Sequence, residues 1–241
     1  MTNRAEYVLA LGDDALIAAQ RLAEWTSRAH ELEEDIALAN IALDLLGQAR
    51  MLLTYAGELE GDGRDEDALA YWRDEREFTN VQLVELPRGD FAFTIVRMLF
   101  FAAYQAQLYI SHDVEADLEQ PDRLGEIAAK ALKEVAYHLD HATQWTVRLG
   151  DGTAQSHERA QNAVDELWPY TYELFEAEPQ LRQDWLATVD TVLEKATLTR
   201  PSDEDSKFRP TGGRNGIHTE HMGYLLAEMQ HLARSHPGAK W

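Results

Sequence analysis

A chain of 241 residues with 45% apolar side chains can bury a substantial core as one domain, and it is too apolar for a disordered tail. Its 43 acidic against 22 basic residues give a formal net charge of −21, which excludes general nucleic-acid binding because little cationic surface is available to displace counterions. The absence of cysteine excludes disulfide frameworks, thiolate metal sites and cysteine nucleophiles, and it suits a reducing cytoplasm. Met1–Tyr7 carries no secretory apolar core and the greasiest run, Met98–Ala103, is far too short to span a bilayer, so the expectation is a soluble protein.

Long segments without proline, rich in Ala, Leu and Glu, predict an all-α fold. Val8, Leu11, Ala15, Ala18, Leu22 and Trp25 recur at alternating spacings of three and four, which is a bundle seam on a helix of about residues 3–27. A second helix is predicted over about 33–60, with Glu33, Glu34 and Asp35 at its positive end. Leu45, Leu46, Ala49, Leu52, Leu53 and Ala56 form its apolar face, and Asn40, Asp44, Thr54 and Glu58 the opposite stripe. Residues 61–67 read as a solvated loop, since the ligand spacing of an EF-hand is missing.

Further helices are predicted at about 68–84, 91–116, 122–149, 154–177, 179–197 and 218–235, punctuated by Pro87, Pro121, Gly150, Pro179 and the stretch from Pro201 to Gly216. Two long antiparallel pairs with short links predict a four-helix bundle with extra peripheral helices, in a single domain over 1–241.

Several groups invite a chemical role. Glu134, His138 and His141 share a helix, and a Glu and a His at such spacing can ligate a metal in a bundle core. Only His138 shares the apolar stripe of Leu124, Ala131, Val135, Ala142 and Leu149, and a single inward His is more often a hydrogen-bonded core residue than a ligand. Asp44 falls among polar residues, which points it outward or to the bundle edge. Gly47 sits mid-helix at a cost of about 1 kcal/mol relative to Ala, for which close helix packing is the expected reason. His218-Thr-Glu-His221 looks like a metal clip but lacks the H-E-x-x-H order, and it falls at a helix start that Thr219 can cap.

Glu33–Arg50, Arg73–Phe78, Lys130–Leu139, Thr211–His221 and Leu226–Gln230 closely resemble, in order and over essentially the whole chain, the non-catalytic ferritin-like subunit of the phenylacetyl-CoA epoxidases (ring 1,2-epoxidases). The resemblance implies a ferritin-like fold and a structural, non-catalytic subunit of a multicomponent oxygenase of phenylacetate catabolism. It implies pairing with a homologous catalytic subunit that holds two irons, and electrons from a separate NADPH-dependent reductase; small accessory subunits complete the complex. No cofactor is expected in this chain itself, nor any membrane or nucleic-acid partner.

Related catalytic subunits carry a Glu on the first helix, E-x-x-H on the second, a carboxylate on the third and E-x-x-H on the fourth. By resemblance these positions fall at Ala15, at Leu45 and Gln48, near Ala106, and at Val135 and His138. Of the placed positions only His138 is a usable ligand, and Leu or Val offers nothing to hold two hard cations. Two rival readings stand beside this one. The first is a free-standing metal-dependent oxygenase using Asp44, His138 or the His218–His221 pair, and the second is a module that binds a CoA thioester.

Two expectations concern surfaces. An apolar face left open in the isolated chain predicts at least a homodimer. Lys207, Arg209 and Arg214 form a positive island in an acidic chain, leading into the last helix, and are expected to contact an acidic partner patch or an anion such as a CoA phosphate.

Overall fold

In the computed structural model, residues 3–116, 123–203 and 208–239 are described, and the chain divides into two compact units, 1–87 with 212–241 and 88–211. The described residues hold helices and no strand, so the predicted all-α class is the observed one.

The first unit is built on α1 (Arg4–Ala23) and α2 (Leu32–Glu60), an antiparallel pair. A capping box sets the start of α1, with the Asn3 side chain accepting from Ala5 N at 3.3 Å and Glu6 accepting from Asn3 N at 3.3 Å. Gly61, at φ 74°, ends α2 in the left-handed conformation that a side chain resists, and its N–H returns to Gly57 O at 3.2 Å. Every seam residue from Val8 to Trp25 is buried. A Cβ at Gly12 would lie 2.8 Å from Leu53 Cδ2, so glycine lets the two helices close there. Each Leu buried along this seam stabilises by roughly 1.5–3 kcal/mol.

The helix expected over about 68–84 is instead three short pieces. These are α3 (Glu66–Tyr71), a 3-10 turn (Glu75–Glu77) and α4 (Gln82–Glu85). Arg73 turns inward to Asp13, while Asp74 stands at the N-terminus of the 3-10 turn with its N–H donating to Glu77 Oε2 at 2.7 Å. Side-chain demand for internal partners overrides helical propensity here. The last helix of the chain, α9 (Glu220–Ser235), completes the unit, capped by Thr219 as predicted.

The second unit is built on α5 (Phe91–Ala116) and α6 (Arg123–Gly150), again antiparallel, with Phe91 edge-on to Trp145 at 5.0 Å. α7 (Ala154–Leu167) stops ten residues short of the predicted end. Pro169 lacks the N–H that an α-helix needs, and the chain continues as 3-10 over Trp168–Phe175. A 3-10 turn at Pro179–Leu181 likewise precedes α8 (Arg182–Lys195). On α6 the predicted stripe is buried at Leu124, Ala131, Val135, His138 and Ala142, whereas Leu149 is half-buried. Gly150 takes the inward place, its hydrogen meeting the Ala196 carbonyl where a Cβ would lie 2.1 Å from the oxygen.

Two features of α2 differ from expectation. Leu46 is exposed and not part of the inner face, and nothing lies within 4 Å of a Cβ built on Gly47, so no close packing within this chain explains that glycine.

Candidate functional site: a buried charge clamp

Ala15, Leu45 and Gln48 are buried in the first unit, and Val135 and His138 in the second; Ala106 on α5 is half-buried. The residue types at these five buried positions do not fit a di-iron group. Three are aliphatic and supply no donor atom, Gln48 supplies a neutral amide, and His138 alone offers an imidazole. Two hard cations need carboxylates to hold and neutralise them, and these positions carry none. Asp44 is half-buried at the edge of α2, and Glu134 and His141 are half-buried on the flank of α6.

The charged chemistry of the first unit lies elsewhere, on residues that periodicity did not single out. Asp13 and Asp14 sit inside α1 and are fully buried. Arg73 forks onto Asp13, with Nη1 donating to Oδ2 at 2.9 Å and Nη2 donating to Oδ1, while Thr79 donates to Oδ2 through N at 2.9 Å and Oγ1 at 3.0 Å. Arg214 forks onto Asp14 at 3.0 and 2.7 Å, and Val81 N adds a third bond at 2.8 Å. Burial pushes the Asp14 carboxyl above its ordinary value, against the opposing pull of Arg214. Two adjacent acids in the apolar run Leu9–Ala19 were the sequence signal for this network, since unpaired charges are not kept there.

Arg214 is therefore not the surface cation expected of it. Its Nη1 also donates to Ala10 O at 3.2 Å and Thr79 O at 3.0 Å, so its guanidinium clamps the loop before α9 onto α1. Arg209 belongs to the other unit, where it donates to Asp203 O and lies 4.2 Å over the Tyr172 ring. The two arginines thus serve separate structures, and Lys207 lies outside the described residues. Of the positive island, Arg214 is drawn into an internal pair while Arg209 stays exposed.

His218 completes the clamp. Its Nδ1 lies 2.7 Å from Glu85 Oε2 and its Nε2 3.0 Å from Phe78 O, so both ring nitrogens face acceptors, an arrangement that favours the protonated ring. Thr219 N donates to Glu85 Oε1, and Asn80 Nδ2 to Oε2 at 2.9 Å. Both nitrogens are engaged by acceptors within the chain, which disfavours His218 as a metal ligand in the His218–His221 pair. Burial alone would lower the imidazole, but the Glu85 bond and charge, the Phe78 carbonyl and Glu75 together raise it above 6.5.

A raised imidazole keeps its proton in the folded chain over a range where the unfolded chain has released it. The stabilisation is complete below pH 6.5 and is lost as pH rises through the higher folded value. The melting temperature is expected to fall on this alkaline side, and His218→Gln to flatten that slope. A wild-type melting temperature that is level or rises from pH 6.5 upward would contradict this assignment.

The clamp is a set of internal pairs, and comparison with known proteins supplies the context. The sequence profile described as phenylacetic acid catabolic protein matches residues 1–241. The chain belongs to that family. It is also similar to the 1,2-phenylacetyl-CoA epoxidase of Escherichia coli (strain K12), in the subunit lettered C. The two are 45% identical over 256 aligned residues, covering 100% of each chain. The ferritin-like class of the family agrees with the all-α fold seen here, and family membership places the chain in phenylacetate catabolism.

Proposed function

We propose that this chain is the structural, non-catalytic subunit of a 1,2-phenylacetyl-CoA epoxidase. The observation that carries the reading is the full-length match to a subunit of such an epoxidase. Buried Ala15, Leu45 and Val135, which the resemblance aligns with carboxylate positions of a catalytic subunit, support it. The oxygenase chemistry then belongs to a homologous subunit that holds two irons, fed with electrons by an NADPH-dependent reductase. This chain binds that subunit and braces its helices.

A free-standing metal oxygenase is disfavoured by the donors available. Among Ala15, Leu45, Gln48, Val135 and His138 only the last offers an imidazole, and both ring nitrogens of His218 face Glu85 and Phe78. A CoA-binding role for the loop before α9 is disfavoured because Arg214 serves Asp14. Reconstituted turnover of phenylacetyl-CoA, with and without this chain, tests the proposal. Epoxidation is expected to require the chain, and equal turnover in its absence would remove the assignment.

A further inference from the structure

The described residues of α2 carry a second apolar stripe that the fold leaves open. Leu32, Ile36, Leu43 and Leu46 are 70%, 52%, 64% and 45% exposed, while Leu38, Ile41, Leu45, Ala49 and Leu52 on the other side are buried. The spacings of four, seven and three residues keep the exposed leucines and isoleucine on one face, with half-buried Ala39 between them and Gly47 at the end. The face runs for about 21 Å at 1.5 Å per residue. Scattered single apolar side chains on a surface are ordinary, but three leucines and an isoleucine on one face of one helix, ending in a glycine with open space above it, have the form of a seam for another helix.

Charge selects the occupant. Glu33, Asp35 and Asp44 flank the stripe, and Arg50, one turn beyond Leu46, pairs with Glu66 at 3.1 Å. A second copy would set these acids against one another and bring two chains of −21 together. α2 also passes the length and composition test for a membrane span, with mean hydropathy 1.4, but half of that window is buried inside the fold, and a span must present apolar surface all round.

We propose that the outer face of α2 docks a helix of a different chain, one with its own apolar stripe edged by lysine and arginine. This occupant is a helix of the catalytic partner, so the inference rests on the assignment of this chain as the structural subunit. Gly47 permits the partner backbone to approach closely, and the acidic flanks orient it and speed its encounter.

The experiment uses the full chain and the purified, tagged homologous oxygenase subunit of the same epoxidase. Leu43→Glu with Leu46→Glu is compared with wild type and with Leu232→Glu, an exposed leucine on α9. Unchanged helical circular dichroism and melting temperature establish folding, and Leu43→Ser alone serves if the double variant is unstable. The expected result is a Kd raised by more than about 100-fold for the double variant and at least about tenfold for Leu43→Ser, with little change for Leu232→Glu, and wild-type binding that weakens as salt is raised. Equal binding by wild type and the stripe variants overturns the docking face while leaving the subunit assignment intact. Failure of the wild type to bind at all overturns the assignment as well. Self-association of the wild type through this stripe, as tight as partner binding at low salt, or flotation with neutral phospholipid vesicles would each give the face to another occupant and overturn the proposal.

Discussion

Arg214→Glu is expected to leave the first unit unfolded or nearly so. The substitution removes the guanidinium that neutralises fully buried Asp14 and sets a second carboxylate against it, while Ala10 O and Thr79 O lose their donor. Breaking a buried pair by removing one partner costs about 3–5 kcal/mol, a large share of the roughly 5–15 kcal/mol that holds a domain folded. Arg214→Ala should show the lower end of that range in urea unfolding, and Arg214→Glu should exceed it. Arg209→Glu provides the contrast, because Arg209 is exposed and its loss should cost no more than about 1 kcal/mol. Equal midpoints for Arg209→Glu and Arg214→Glu would show that Asp14 does not depend on this partner.

Trp185→Ala should cost the second unit about 3–5 kcal/mol. The indole is wholly buried on α8, with ring centroids 5.5 Å from Trp168, 5.7 Å from Phe100 and 5.2 Å from Phe175. Truncation empties the centre of that aromatic cluster and also removes the Nε1 hydrogen bond to Phe100 O at 2.9 Å. Trp185→Phe keeps most of the ring contact and should lose much less, on the order of 1–2 kcal/mol for the bond and the smaller ring. Chemical denaturation followed by far-ultraviolet circular dichroism reads both variants. A loss below about 1 kcal/mol for Trp185→Ala would mean that the cluster closes over the gap.

Much of the fold was legible because helix periodicity and end signals act locally. Thr219 caps the last helix where its position in the sequence placed it, and the seam from Val8 to Trp25 is buried throughout. What escaped was set by contacts far apart in sequence. The break after Tyr71 follows from the pull of Asp13 on Arg73, sixty residues away, and the role of Arg214 from Asp14, two hundred residues away. Charge counting finds a basic cluster at 207–214, but it is blind to two of its members turning inward or onto neighbours in separate units. Leu46 misleads because an apolar residue beside a buried one reads as core, whereas α2 is apolar on two faces. Burial of Ala15, Leu45 and Val135 was legible for another reason, since each lies on an apolar stripe at helical spacing.

If this chain braces a catalytic partner and holds no oxygenase metal of its own, reconstitution shows it most directly. The chain is stripped of metal by chelation, mixed with the iron-loaded homologous subunit and the reductase, and assayed for epoxidation of phenylacetyl-CoA and for iron in each subunit after separation. The account predicts full turnover with iron confined to the partner. Stoichiometric iron in this chain, or turnover that returns only when iron is restored to it, would contradict the account.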